Sequence, residues 1–274
     1  VADPAGTGPD YADLLPVARQ AVAIARGIVR EHAPRSVGTK GDRDVVTDVD
    51  LAVEEAVRSF LARETPEVGF LGEEHGRSGG TADEQPWWVL DPVDGTANLA
   101  CGIPLCAVSL GLVSGARAAL AAIDLPFLGA EYTAVAGKGA FCGGERIHVP
   151  GSDAPTDAVV SIGDFAVGEG AAARNRVRLD LLDRLGARVR RVRMLGAAAI
   201  DLAWTAHGRL DGTVILANLP WDTAAGVLLV REAGGDVVDR DGSPHSVDSS
   251  ATIALAPGLR TYLMAEVRRA YGIR

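Results

Sequence analysis

Residues 87–98 read WWVLDPVDGTAN, and the rest of the chain is best read outward from them. The leading aromatic and β-branched residues predict a buried strand. That strand ends in Asp91 and, three residues on, Asp94. Pro92 stiffens the turn between them and cannot donate to a central ladder. Two carboxylates meeting at a strand end repel, and one is driven to keep its proton unless a divalent cation lies between them. The turn frees the carbonyl of Val93 as a further oxygen ligand. Gly95 permits close backbone approach, and Thr96 opens a helical turn whose N–H groups suit a phosphate. Simple turn capping is the commoner explanation of a bare DxxD pair, so the weight falls on its surroundings.

Upstream, VGFLG (68–72) reads as a second buried strand, and GEEH brings Glu73 and Glu74 directly after it. The remainder of 72–86 reads as a polar loop. Downstream, PWDTAAG (220–226) puts Asp222 at the mouth of a helix. Each has an ordinary reading alone, as a solvated turn or an N-cap. Together, carboxylates at strand and helix ends describe an oxygen-only site for a hard cation, Mg²⁺ rather than Zn²⁺.

The apolar spacing of residues 11–30 predicts an amphipathic helix ending at the Ala33-Pro34 step. SVGTKGDRD (36–44) reads as a polar link. A second helix begins around residues 47–50, where Thr47 and Asp50 can cap it, and runs to Pro66. Residues 105–115, 119–126 and 131–144 read as consecutive strands of an antiparallel-rich sheet, with a hairpin around Gly143 and Gly144. After Pro150 the pattern is a strand at 158–163, a helix at 171–185, a strand at 187–195 and a helix at 196–208. A strand at 210–216, a helix at 223–235 and terminal strands and helix follow. The expected fold class is α/β (α+β), a layered sandwich in two halves, 1–150 carrying most of the acids and 151–274 completing one unit.

The chain has 274 residues, 47% hydrophobic and 23% charged, which disfavours disorder, collagen and coiled coil. Lys+Arg 27 against Asp+Glu 36 leaves a net charge of −9, which argues against a general nucleic-acid binder but not against an anionic substrate held through a metal. Cys101, Cys106 and Cys142 lack CxxC spacing and suggest a reduced, cytoplasmic setting. No basic leader or membrane-length apolar run is present in the sequence. GKGAFCGG (137–144) lacks a full dinucleotide fingerprint and reads as a turn. His75, His148, His207 and His245 read as surface or hydrogen-bonding residues, Trp87 and Trp88 as packing, and RVRRVRML (188–195) as a half-exposed strand.

In order, DVVTDVD, GEE, WVLDPVDGTAN and WDTAAGVLLVREAGG closely resemble the motifs of the inositol monophosphatase family, as do YTAVAGKGAFCGGERIHV and RMLGAAAIDLAW between them; the likeness runs from residue 40 to 235. It implies an αβαβα sandwich of the inositol monophosphatase/fructose-1,6-bisphosphatase type, a homodimer, and lithium-sensitive hydrolysis of a phosphate monoester with two or three Mg²⁺. By the resemblance, Glu73, Asp91, the Val93 carbonyl, Asp94 and Asp222 are metal ligands. Glu73, with Glu74 beside it, and the Thr96–Asp50 pair are the catalytic candidates. Asp94, Gly95, Thr96, Gly196, Ala197, Ala198, Asn218 and Asp222 face the substrate, and Lys40 lies near the metals. One departure stands out: Ile215 falls where inositol-hydrolysing members carry a glutamate, leaving Asn218 as the nearest polar side chain. The expected substrate is a small polyol or sugar phosphate, inositol 1-phosphate first. Histidinol phosphate, fructose 1,6-bisphosphate and 3′-phosphoadenosine compounds follow, with a non-catalytic regulatory member as the other class. Neither nucleic acid nor membrane is an expected partner.

Overall fold

The computed structural model describes residues 9–31, 36–41, 44–79 and 85–273; the expected helix stop at Ala33-Pro34 and the side chain of Lys40 lie outside the described residues. The elements, in order, are α1 (Leu15–Glu31), β1 (Val37–Gly41), β2 (Asp44–Thr47), α2 (Asp48–Glu64), β3 (Gly69–Gly72), β4 (Gly76–Ser78) and β5 (Trp87–Asp94). Next come α3 (Thr96–Ala100), β6 (Ala107–Ser114), β7 (Arg117–Leu125), β8 (Ala130–Val135), β9 (Gly139–Cys142) and β10 (Glu145–Ile147). The remainder is β11 (Val159–Ile162), α4 (Ala171–Gly186), β12 (Arg191–Arg193), α5 (Ala198–Ala206), β13 (Gly212–Ile215), α6 (Pro220–Glu232), β14 (Asp236–Val238), β15 (Thr252–Leu255) and α7 (Arg260–Ala270).

An eight-stranded sheet, β10-β9-β8-β7-β6-β5-β3-β4, and a five-stranded sheet, β12-β11-β13-β15-β14, stack with helices between and outside them. Alternation along β7 shows how the layers are glued. Leu120 and Ala122 pack toward α1 and α2, whereas Ala121, Ile123 and Leu125 pack toward α5 and α6. The far face of the five-stranded sheet is covered by α4 and α7 through Leu181, Leu185, Leu263 and Val267. The order is therefore helix, sheet, helix, sheet, helix, and strands buried on both faces explain why β5 to β7 read as near-continuous apolar runs. Trp88 is fully buried and its Nε1–H donates to Thr65 Oγ1 (2.9 Å), tying β5 to the end of α2. Truncating it to alanine should cost about 3–5 kcal/mol.

Three local expectations differ from the structure. The 36–44 link pairs as the antiparallel hairpin β1–β2, since a ladder is made by backbone groups and needs no apolar alternation. The 72–86 loop contains β4, which returns along β3. The strand expected over 187–195 contracts to Arg191–Arg193, at the edge of its sheet. Both sheets begin and end on strands of three residues, β10 and β4 in one, β12 and β14 in the other.

Candidate active site

The β5–β6 register pairs Asp91 with Ser109 and Asp94 with Ala107, so β5 carries one more residue than its neighbour over that interval. In an uninterrupted strand, residues three apart project to opposite faces; a bulge resets the alternation. Parallel pairing sets Gly72 beside Leu90, and the Glu73 N–H donates to the Leu90 carbonyl (3.3 Å), so Glu73 leaves β3 alongside Asp91. Asp91 is buried and pushed well above the carboxylate range, first by burial and then by the charges of Glu73, Asp94 and Asp222 and a hydrogen bond with Glu73. Asp94 is pushed up to about 7 by burial, opposed by hydrogen bonds from the backbone N–H groups of Ala199 and Ala198, with Glu73 and Asp164 adding repulsion.

Gly95 adopts φ 92°, and a Cβ there would lie 2.8 Å from the Leu105 carbonyl oxygen and 3.2 Å from that of Gly196. Only glycine fits both the conformation and the space. Thr96 Oγ1 lies 2.9 Å from Asp50 Oδ1 and 3.0 Å from the Val93 carbonyl. The other oxygen of Asp50 is held by the backbone N–H (3.0 Å) and hydroxyl of Thr47, the expected cap of α2. Asn98 Nδ2 donates to the carbonyls of Leu105 and Leu195, both 2.8 Å, and with the Asp94–Ala199 bond it stitches β5 and α3 to the start of α5.

Asp222 sits in the first turn of α6, behind Pro220, rather than at the N-cap, which is Leu219. Among the expected substrate residues, Gly196, Ala197 and Ala198 line the approach to α5, where the Ala198 and Ala199 N–H groups are engaged by Asp94. Asn218 behaves differently from expectation. Its Nδ2 donates to the carbonyls of Val247 and Ser249, both 2.9 Å, and its Oδ1 accepts from Thr223 (2.6 Å) and Thr252 (3.0 Å). A side-chain amide has two donor hydrogens and two acceptor sites, so nothing is left for a substrate. Asn218 is a clamp beside Asp222. Because Thr252 spends its hydroxyl hydrogen on Asn218, the 2.9 Å contact with His245 Nε2 requires that nitrogen to be the donor.

Sequence reading missed Glu54, Asp164 and Asp201. Glu54 is fully buried and accepts from the backbone N–H groups of Glu74 (2.8 Å) and His75 (2.9 Å) and pairs with His75 Nδ1 (2.8 Å). It builds the turn that presents Glu73. Glu73 is the glutamate whose charge bears on Asp91 and Asp94, while Glu74 is held through its backbone. A Cβ on Gly72 would come within 2.3–2.5 Å of the Glu54 carboxyl group, so a side chain there would push that carboxyl off its hydrogen bonds. The available signal was position: Glu54 falls on the same helical stripe as buried Asp50, Val57 and Leu61. Asp164 follows β11 through Gly163 just as Glu73 follows β3 through Gly72, a repeated strand-Gly-acid pattern. Asp201, buried in α5, is also raised, chiefly by burial.

Among the described residues, no three His, Cys, Asp or Glu side chains are already drawn tightly enough together to enclose an ion. The donor chemistry nevertheless fits a hard divalent cation. The candidates are carboxylates with one backbone carbonyl, and Asp91 relieves its repulsion through a hydrogen bond with Glu73 where a cation could relieve it instead. No described helix is long and apolar enough to cross a membrane.

The profile of the inositol monophosphatase family matches residues 10–271. The inositol-1-monophosphatase ImpA of Mycolicibacterium smegmatis is 38% identical over 240 residues, covering 88% of this chain and 86% of its own. An inositol-1-monophosphatase of Mesorhizobium japonicum is 37% identical over 238 residues, covering 87% and 88%. Among solved structures, the extragenic suppressor protein SuhB of Bartonella henselae superposes with a TM-score of 0.88 at 32% identity, over 94% of this chain and 99% of that one.

Proposed function

The chain belongs to the inositol monophosphatase family of phosphoric monoester hydrolases, and from that membership we propose a Mg²⁺-dependent phosphatase of a small polyol monophosphate, inositol 1-phosphate first. The observation that carries the reading is the crowding of Glu73, Asp94 and Asp222 around buried Asp91. Acids pressed together at the cost of their own ionisation make sense as ligands of a hard cation. Those four residues and the Val93 carbonyl would hold two or three Mg²⁺. Bound there, Mg²⁺ supplies charge neutralisation at the phosphate and acidification of the attacking water.

The chain's own groups do the positioning. Thr96 receives a proton from water at Oγ1 and passes its own to Asp50 Oδ1, along the hydrogen bond described above. Glu73 is the alternative base. Asp50 is suited to the relay because Thr47 fixes its other oxygen and thus its orientation. Phosphoryl transfer needs placement and charge compensation more than a protein nucleophile. The O–P bond from water forms as the ester O–P bond breaks, and the departing alkoxide takes up a proton from a solvent water, the resulting hydroxide being neutralised by the proton left on Asp50. Gly95 and Thr96 would grip the phosphate, with Gly196 to Ala198 beside the alcohol.

Residues 1–150 and 151–274 are read as halves of one catalytic unit. By family likeness the protein is proposed to be a lithium-sensitive homodimer in the cytoplasm, a setting that suits its unpaired cysteines. Histidinol phosphate is the second reading, favoured by buried, apolar Ile215 at the place where, by the resemblance, inositol-hydrolysing members carry a glutamate. Phosphate release should be measured with Mg²⁺ on inositol 1-phosphate and histidinol phosphate, against EDTA and Thr96→Val controls. Mg²⁺-dependent turnover that Thr96→Val cuts by about 100-fold, the usual range for a lost acid-base path, is expected. Full activity in EDTA would sink the metal reading.

A further inference from the structure

Three buried polar side chains from three different elements converge in the layer between the five-stranded sheet and α5. Along β11, Val160 and Ile162 pack toward α4 and α7, so Ser161 between them faces the middle helix layer. Along β13, Val214 packs outward in the same way, and Thr213 shares the inner face with Ile215. Parallel pairing sets Ser161 directly beside Thr213, at the usual strand spacing of about 4.8 Å. Helix α5 packs against β13, and Asp201 in its first turn lies close enough to Ser161 for that hydroxyl to favour the charged carboxylate.

Ser161 and Thr213 are fully buried, and Asp201 is 1% exposed. Ser161 Oγ, Thr213 Oγ1 and Asp201 Oδ1 nevertheless have no hydrogen-bond partner among the described residues. The hydroxyl of Thr205, one turn along α5, is spent on the Asp201 carbonyl (2.8 Å). Buried polar atoms in folded proteins are nearly always paired, through a bound water where the protein itself offers no partner.

A single water matches the set. It donates twice and accepts twice, and each hydroxyl can turn to donate or to accept. Burial, opposed by Ser161 and reinforced by the charges of Asp94 and Asp164, holds the Asp201 carboxyl well above the ordinary carboxylate range. A carboxyl that keeps its proton suits a neutral ligand better than a cation.

We propose that Ser161, Thr213 and Asp201 form a water-binding site, in which one internal water joins α5 to β11 and β13. The tie matters because of where those elements lead. Helix α5 gives Asp94 the N–H of Ala199, β11 runs on to Gly163, and β13 runs on to Ile215 and the turn before Asp222. The water thus sits behind three of the elements that build the candidate active site.

Thermal unfolding of the full chain tests the proposal by its sign. Thr213→Val keeps nearly the same shape and removes one hydroxyl. With a water bound, the change takes away one of its anchors, and the melting temperature should fall by about 2–4 °C. With nothing bound, it deletes an orphaned hydroxyl, and the melting temperature should rise; a rise or no change overturns the proposal. Ser161→Ala should act in the same direction, and the double variant should lose less than the sum, because both single changes damage one shared water. Strict additivity would deny that sharing. A high-resolution crystal structure of the wild-type protein should show one density peak about 2.7–3.0 Å from all three atoms. A peak drawn in to about 2.3–2.6 Å would mark a cation instead, and direct bonds among the three side chains with no peak would leave no place for the water; either result overturns the proposal.

Discussion

Two pairs of buried carboxylates sit a few residues apart in sequence, and they live very differently. Asp50 and Glu54, one turn apart on α2, each accept hydrogen bonds from named donors: Thr47 and Thr96 for the first, the Glu74 and His75 backbones and the His75 ring for the second. Asp91 and Asp94, on the β5 bulge, also accept backbone N–H bonds, Asp91 from Val93 (3.0 Å) and Asp94 from Ala198 and Ala199, yet deep burial and the charges of neighbouring acids drive both toward their protonated forms. Burial is the same in kind; the charge crowded against Asp91 and Asp94 is not. A carboxylate whose neighbours satisfy it builds structure, and one whose neighbours repel it is reserved for something that arrives from outside.

That contrast can be broken most forcefully at Asp94. Asp94→Asn should lower phosphate release at least a thousandfold, about 4 kcal/mol in the barrier. Relief of crowding should raise the melting point of the metal-free protein by about 2–4 °C, equivalent to roughly 1 kcal/mol at this chain length. Activity within tenfold of wild type would place Asp94 with the structural pair. The converse test is Glu54→Ala, which takes the acceptor from two partly buried N–H groups and the half-exposed His75 ring and should cost about 1–3 kcal/mol of stability by denaturant titration. An unchanged midpoint would mean that the GEEH turn does not depend on it.

A third prediction extends the contrast to a buried base. His245 is pushed down to about 4, chiefly by burial, with Arg231 adding to the effect. The unfolded chain takes up the proton near pH 6.5, so stability is full above that value and is lost as pH falls toward 4. The window of 2.5 pH units corresponds to about 3 kcal/mol at 1.36 per unit. His245→Gln should flatten that acid limb in unfolding experiments between pH 4 and 6.5; an unaltered slope would remove His245 as its source. Smallest of the set, Asn218→Ala should cost about 1–3 kcal/mol by taking the acceptor from the Thr252 hydroxyl and the donor from the Val247 and Ser249 carbonyls. A tenfold rise in KM without loss of stability would return Asn218 to the substrate.

What could be read in advance follows the same division. The β5 acids announced themselves because Pro92 directly follows one and Gly95 the other, and the Asp50 cap was visible as Thr47 followed three residues later by an acid. The layered fold followed from apolar runs separated by helical stripes. Glu54 stayed hidden because VEEAV reads as one exposed acidic pair, and only the helical phase distinguishes it from exposed Glu55. The Asn218 clamp could not be read in advance because its four partners come from residues 223–252, joined by contacts no local pattern encodes. β1, β2 and β4 were missed since their pairing draws on backbone groups alone.

The short borders of the two sheets carry a consequence for the protein as a material. An open strand is a template onto which another chain can zip, and the hazard grows with its length. Here each border runs only three residues, and β12, the most basic of them, presents exposed Arg191 and Arg193 on either side of Val192. A stranger's backbone finds a foothold of one or two hydrogen bonds and a repulsive cationic row. At the borders of these two sheets, addition of a further chain is therefore disfavoured.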